Sequence, residues 1–424
     1  MSESPAVLAA APDRARHQLE HTIFPFWLSR GVDHAFGGFH TCFDNRGRTR
    51  TSTDKFTWSQ GRFVWLLARA ADLARRGLLA LDPDDLLSLA ERGARFLLEH
   101  AVTPDGTCAF RLRRDGSAAG EGPARSVYAD CFVVMGFAEL ARATGQRRWL
   151  DHAAAILARA RADISAGTAP TPPYEVPAGH RPFGPEMILL NTLLVEVGAA
   201  RTVGGADRGD WLAEALDRVL AHRLPDGTFA EMRADGAESL LTRHRVPGHA
   251  IEGMWVALDA LELLGHHEGE ERRALVLDSV PVLCALGWDH RDGGLLRYTD
   301  ATGPQCPDGK SGDSPYEQLV LRTWDTKLWW VHTEAAATTA IAALRYGSRP
   351  AAEWFATIWD YTLRTFPGGD DGEEWIQIRD RAGRPLDEVV ALPVKDPFHV
   401  ARNLMQLVEL GADGGAVPTD GALQ

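Results

Sequence analysis

Lysine is nearly missing from this chain. Of 45 basic residues in 424, only Lys55, Lys310, Lys327 and Lys395 are lysines. That scarcity beside abundant arginine and alanine fits codon bias, although Lys327 stands within a motif discussed below. No long basic run occurs and the formal net charge is −13, which argues against a nucleic-acid partner. Five cysteines (Cys42, Cys108, Cys131, Cys284, Cys306) are scattered without C-x-x-C spacing. An odd number without a metal-ligand pattern predicts reduced thiols in a cytoplasmic protein. No charged segment leads an apolar stretch at the N-terminus, so no signal peptide is expected. No uninterrupted apolar run approaches the roughly 18 residues of a membrane span. There is no convincing G-x-S-x-G, phosphate-binding loop or dinucleotide fingerprint.

What the chain does have is punctuation. Gly-centred turns occur at Gly37-Gly38-Phe39, Asp105-Gly106-Thr107, Asp226-Gly227-Thr228, Asp292-Gly293-Gly294 and Asp371-Gly372-Glu373, at intervals of 69, 121, 66 and 79. Most are closed about ten residues later by a second turn, as at Asn45-Arg46-Gly47 and Asp115-Gly116, the signature of a β-hairpin. The interval of 121 spans two units, and the Pro/Gly-rich stretch 168–184 marks where a sixth connection falls. Between the turns, apolar residues recur at helical spacing. They predict helices over about 5–29, 57–77, 84–101, 125–144, 147–163, 185–203, 208–222, 247–265, 269–286, 326–346, 350–366 and 397–411.

Each unit therefore reads helix, hairpin, helix, and repeats that cannot bury their own apolar face must stack. Six helix pairs predict an (α/α)6 barrel with short β-hairpins at its pocket end, the alternative being an open solenoid. The whole chain is then one domain, its core over about 15–412 and its tail over 413–424 disordered. The even-numbered helices would form the inner ring, with their first turns and partial positive charge aimed into one pocket.

Four inner-helix starts are unusually polar. Arg62 follows Trp58 by one turn on an otherwise apolar helix; it is half of a structural ion pair or a clamp for a substrate oxygen. His249 and Glu252 share a face just after Pro247-Gly248, so they form either an acid/base module or a helix-stabilising Glu beside a packed His. His332 and Glu334 stand among the aromatics of Lys327-Leu328-Trp329-Trp330. His399 and Arg402 share a face after Pro397. No two of these positions have a metal-binding helix spacing, so no metal site is expected. Two His, two Arg and two Glu at equivalent places on separate repeats would meet at the centre of a barrel.

In these motifs the chain resembles the N-acylglucosamine 2-epimerase family. The matches are Gly37-Gly38-Phe39 with Asp44 and Gly47, Lys55-x-x-Trp58-x-Gln60-Gly61-Arg62-x-x-Trp65, Pro247-Gly248-His249-x-x-Glu252, Gly293-Gly294-Leu295, Lys327-Leu328-Trp329-Trp330-x-His332-x-Glu334-Ala335 and Phe398-His399-Val400-x-Arg402, in family order over about 20–411. The resemblance implies an (α/α)6 barrel, chemistry at the carbon beside a sugar's reducing carbonyl, and a homodimer. It implies no cofactor in the chemistry, with ATP a possible activator. Carried onto these positions, it makes His249 and His399 the acid/base pair and Glu252 the orienter of His249. Arg62, Glu334 and Arg402 become polar wall residues around the open-chain sugar, with Trp58, His332 and Asn191 also binding substrate. Pro185 to Asn191 resembles the N-acylglucosamine enzymes, and Ile188 stands near a position where cellobiose epimerases and mannose isomerases usually carry His. The chain departs from the family at Val331, at Glu373-Glu374-Trp375-Ile376 and at Lys395-Asp396-Pro397, beside the expected pocket.

The chemistry implied is removal of the C2 proton by one histidine and delivery by the other. Arg62 or Arg402 and the helix N-termini would stabilise the enediolate. Three alternatives compete: an aldose–ketose isomerase using the same enediolate, an inverting glycoside hydrolase with Glu252 and Glu334 as its carboxylates, and a non-catalytic binding protein. The Gly/Pro/Ser-rich segment from Cys306 to Glu317 is either a pocket lid or a solvated excursion.

Overall fold

Apolar residues at helical spacing form twelve long helices among the described residues of the computed structural model, which are 4–414 apart from 121, 123, 237, 266–268, 369–372 and 389–391. In chain order they are α1 (Ser4–Gln18, continued through a π-helical turn, Leu19–Ile23, into Phe24–Arg30), α2 (Thr57–Arg75), α3 (Pro83–Phe96, with a π turn, Leu97–Ala101), α4 (Val127–Thr144), α5 (Arg148–Ser165), α6 (Phe183–Val203), α7 (Gly209–Leu220), α8 (Pro247–Leu264), α9 (Gly269–Gly287), α10 (Trp329–Tyr346), α11 (Arg349–Thr365) and α12 (Phe398–Ala412). Each coincides with a predicted helix to within a few residues. Two short helices, Leu240–Arg243 and Pro315–Thr323, lie in connections where the sequence predicts no helix. The core reaches back to Leu8 and Ala11, earlier than expected, because the start of α1 packs on α12. Of the expected disordered tail, 415–424 lie outside the described residues, as does the Asp371-Gly372 turn.

Which helices go inside follows from their composition. In α4 nearly every residue from Val127 to Ala141 is buried, whereas α7 buries only Leu212, Ala215, Leu216 and Val219. The even-numbered helices each contact the next, and α12 contacts α2, which closes the ring and excludes the open solenoid. α6 is long and apolar enough to cross a membrane, but 78% of that window is buried inside the barrel. The α2–α4 seam is close: a Cβ on Gly136 would meet the Gly61 carbonyl oxygen at 2.6 Å.

The turns close locally as single bridges, among them Val102–Cys108, Arg223–Phe229 and Trp288–Leu295. Short strands then join one unit to the next. β1 (Lys55–Phe56) pairs antiparallel with β2 (Arg111–Leu112), β3 (His180–Pro182) with β4 (Met232–Ala234), and β5 (Lys327–Leu328) with β6 (Ile378–Arg379).

Three of the four lysines turn out to be buried braces at this end. Lys55 sits 3.2 Å from Asp33, Lys327 3.2 Å from Asp289 and Lys395 2.7 Å from Glu374. The first two belong to a repeated device. Five residues after Lys55, Gln60 Oε1 accepts the Phe39 N–H at 2.7 Å; five after Lys327, His332 Nε2 accepts the Leu295 N–H at 2.8 Å. Each accepted N–H follows a Gly-Gly turn. The opposite end of the barrel is tied by ion pairs, with Arg69 and Arg76 each 2.7 Å from Glu409 and Arg142 bound to Glu139 at 2.6 Å.

Candidate active site

The first turns of the inner helices surround a cavity of about 310 Å³. One and a half turns in, these helices carry Arg62, Phe132, Ile188, Glu252, Glu334 and Arg402, in ring order from α2 to α12. This layer is divided. Phe132 and Ile188 make an apolar sector, and the other four residues are charged.

The charged sector is built around Arg402, which is 1% exposed. Its Nη2 donates to Glu252 Oε1 at 2.5 Å and to Glu334 Oε1 at 2.6 Å, and its guanidinium lies over the Trp255 and Phe398 rings. Two buried carboxylates need a cation. Glu252, Glu334 and His399 bring ligand atoms close enough for a metal ion, but the Arg402 guanidinium already fills the place between the carboxylates. Burial alone would raise the Glu334 carboxyl; Arg402 and His399 override it and hold its pKa below the ordinary carboxylate range.

His399 stands directly above. Its Nδ1–H donates to Glu334 Oε1 at 2.7 Å, and Arg62 Nη2 donates to its Nε2 at 3.3 Å. One tautomer satisfies both bonds, with the proton on Nδ1 and the lone pair on Nε2. Arg62 is itself held by Asp396, whose Oδ2 accepts from Arg62 Nη1 at 3.1 Å and from Ser59 Oγ at 2.8 Å. Arg62 is thus half of an ion pair, as one of its two expected roles required, and it also lines the cavity.

His249 occupies the other side. Its Nδ1 lies 3.1 and 3.2 Å from the Glu231 carboxylate oxygens. Burial opposes a charge on His249, but Glu231 outweighs it and raises the imidazole pKa above its ordinary value. Between the two histidines stands Trp330, its ring centroid 5.5 Å from that of His249 and 5.3 Å from that of His399. Trp58 lines the cavity on the α2 side.

Several expectations need correction. Glu252 does not orient His249; it binds Arg402, because at i, i+3 it points down the helix while His249 reaches up to the hairpin bearing Glu231. Glu334 and Arg402 lie beneath the lining, joined to it through the Glu334–His399 hydrogen bond. His332 is a structural group: Nδ1–H donates to the Leu328 carbonyl at 2.8 Å, Nε2 accepts from Leu295, and burial lowers its pKa to about 3. Asn191 is buried in α6 away from the cavity lining. The Cys306–Glu317 segment runs into the helix Pro315–Thr323, which sends Tyr316 and Leu319 into the cavity.

Glu231, Asp396 and Trp330 were not singled out from sequence. Glu231 sits in a hairpin with no helical periodicity; its one signal is the Asp226-Gly227 turn that folds it back over the start of α8. Asp396 is visible as a departure from the family pattern, and Trp330 as part of a quoted motif.

The N-acylglucosamine 2-epimerase (GlcNAc 2-epimerase) family model matches residues 37–402. The N-acylglucosamine 2-epimerase of Bos taurus is 32% identical over 424 residues, covering 97% of this chain and 93% of its own length. Among solved structures, a cellobiose 2-epimerase from Bacillus thermoamylovorans superposes with a TM-score of 0.74 at 19% identity, over 94% of this chain and 98% of its own. A D-mannose isomerase superposes with a TM-score of 0.70 at 15% identity, over 95% and 97%. The last two share the fold, an (α/α)6 barrel; the family match and the bovine relative settle kinship, and the chain belongs to the N-acylglucosamine 2-epimerase family.

Proposed function

We propose that the protein inverts C2 of a reducing, N-acylated hexose, interconverting N-acylglucosamine and N-acylmannosamine through the open-chain sugar. The observation that carries this reading is the pair of histidines flanking Trp330, each held through Nδ1 by its own carboxylate, which makes Nε2 the reacting nitrogen; on His399 it is released for chemistry when Arg62 turns its N–H from Nε2 to the sugar oxygen. The carbonyl acidifies the C2 proton only modestly, so the enediolate must be stabilised as it forms. His399, with its lone pair on Nε2, takes the proton from one face; His249, protonated and paired with Glu231, delivers its own to the other. The negative charge that develops on O1 meets Arg62 and the N-terminal ends of the inner helices. In the reverse direction the two histidines exchange roles.

The hydrolase alternative loses its support here. Glu252 and Glu334 both accept from the same Arg402 nitrogen, too close together for the separation of about 6.5–9.5 Å that an inverting pair requires. Aldose–ketose isomerisation would need only one of the histidines, leaving the second carboxylate-held imidazole without a task.

The same reading takes the protein as a cytoplasmic homodimer whose chemistry needs no cofactor. Five free thiols, four of them buried, support a reducing compartment. Proton NMR in D2O with N-acetylglucosamine, N-acetylmannosamine, mannose and glucose, each with and without ATP, tests the whole proposal. Deuterium at C2 together with the C2 epimer is expected; a ketose product would replace the reading with an isomerase, and an ATP-dependent rate would make ATP an activator.

A further inference from the structure

His249, Trp330 and His399 head the consecutive inner helices α8, α10 and α12. With C2 between the two histidines and Trp330 filling the sector behind it, the rest of a bound sugar extends towards α2, α4 and α6. On the α6 side the cavity is bounded by Pro172, Tyr174 and Val176 of the α5–α6 connection and by Tyr316 and Leu319 of the short helix before α10. These two connections meet. The rings of Tyr174 and Tyr316 lie 5.8 Å apart between centroids at 57°.

The meeting is braced from both sides. The Tyr316 hydroxyl donates to His244 Nε2 at 3.0 Å, while His244 Nδ1–H donates to the Leu241 carbonyl at 2.7 Å. Burial lowers the His244 pKa and raises that of Tyr316, so both stay neutral and the bond persists. Tyr298 packs edge-on at 6.4 Å. The Tyr174 turn is closed by its N–H to the Thr171 carbonyl at 3.2 Å and by Thr171 Oγ1 to the Tyr174 carbonyl at 2.9 Å. The helix bearing Tyr316 has a full capping box between Ser314 and Glu317. A braced loop and a capped helix therefore hold two rings against one another in the cavity lining.

A second sugar ring attached at O4 would have to displace these two braced rings, at the loss of the Tyr316–His244 hydrogen bond and the Tyr174–Tyr316 contact. We propose that the Tyr174–Tyr316 bridge restricts the substrate to a single reducing hexose and turns away sugars glycosylated at O4. This rests on the function proposed above.

The test compares C2 deuterium exchange on N-acetylglucosamine and on N,N′-diacetylchitobiose, for the unaltered protein and for Tyr174→Ala, Tyr316→Ala and the double variant. The unaltered protein is expected to favour the monosaccharide by at least about tenfold, and opening the bridge to raise the disaccharide-to-monosaccharide ratio by a similar factor. Reading a ratio keeps a general loss of activity from imitating the effect. If Tyr316→Ala fails to fold, Tyr174→Ala opens the same bridge from a half-exposed loop. Equal exchange on both sugars by the unaltered protein, or an unchanged ratio in the variants, overturns the bridge alone. No exchange on any monosaccharide overturns the proposed function and the bridge with it.

Discussion

The two histidines of the pocket have the same local chemistry and opposite surroundings. His399 stands over the buried ionic cluster, its side chain 16% exposed, and its carboxylate comes from the neighbouring inner helix. His249 stands nearer the rim at 33%, and its carboxylate comes from a hairpin. On one side the orienting group also holds the barrel together through Arg402; on the other it chiefly sets a proton affinity. Tuning a base and building a core are thus carried by the same residues at His399 and are largely separate at His249.

The strongest way to break this comparison is to remove the imidazoles. His249→Ala and His399→Ala should each lower kcat by about 10²–10⁴ with an unchanged far-UV spectrum. Full turnover in both would end the two-histidine account.

Next in size is the contrast between the partners. Glu334→Ala leaves Arg402 short of one counter-charge in the core and should cost about 3–5 kcal/mol in denaturant unfolding, while Glu231→Ala costs less because His249 can become neutral. Equal costs would erase the distinction between core and rim.

The third test is a pH profile. Glu231 raises the His249 pKa, so activity that needs protonated His249 is lost as pH rises through that value. Glu231→Gln should move the alkaline limb to lower pH. Glu252→Gln, which lacks a hydrogen bond to His249, should move it less. A larger shift from Glu252 would restore it as the orienter.

The smallest effect concerns His332, which is neutral in the fold. Burial holds its pKa at about 3 against an ordinary 6.5, so its contribution to stability is complete above pH 6.5 and is lost as pH falls towards 3. His332→Leu leaves the Leu295 N–H unpaired and should cost about 1–3 kcal/mol, with the activity–pH profile unmoved. His332→Gln, copying the role of Gln60, should recover part of that stability.

The sequence made the architecture legible because turn glycines at repeated intervals and helical periodicity are local signals. The same locality misled at His249. An i, i+3 spacing put Glu252 on the same face, but side chains one turn apart on this helix reach different depths, and the deeper one was claimed by Arg402 from α12. Glu231, 18 residues before His249 in the chain, left no periodic trace. His332 looked reactive by type, and only the repeated geometry with Gln60 shows that its two nitrogens are both engaged with backbone.

By itself the sequence determined the twelve helices, their six-fold grouping and the arrival of His249, His399, Arg62, Glu252, Glu334 and Arg402 at inner-helix starts, since those follow from spacing along one chain. Closure of the ring, the assignment of Glu231 to His249 and Glu334 to His399, and the Tyr174–Tyr316 span were decided by tertiary structure. The physical reason is that a hydrogen bond or ring contact between distant segments depends on where two helices and their loops come to rest, and no residue spacing encodes that position.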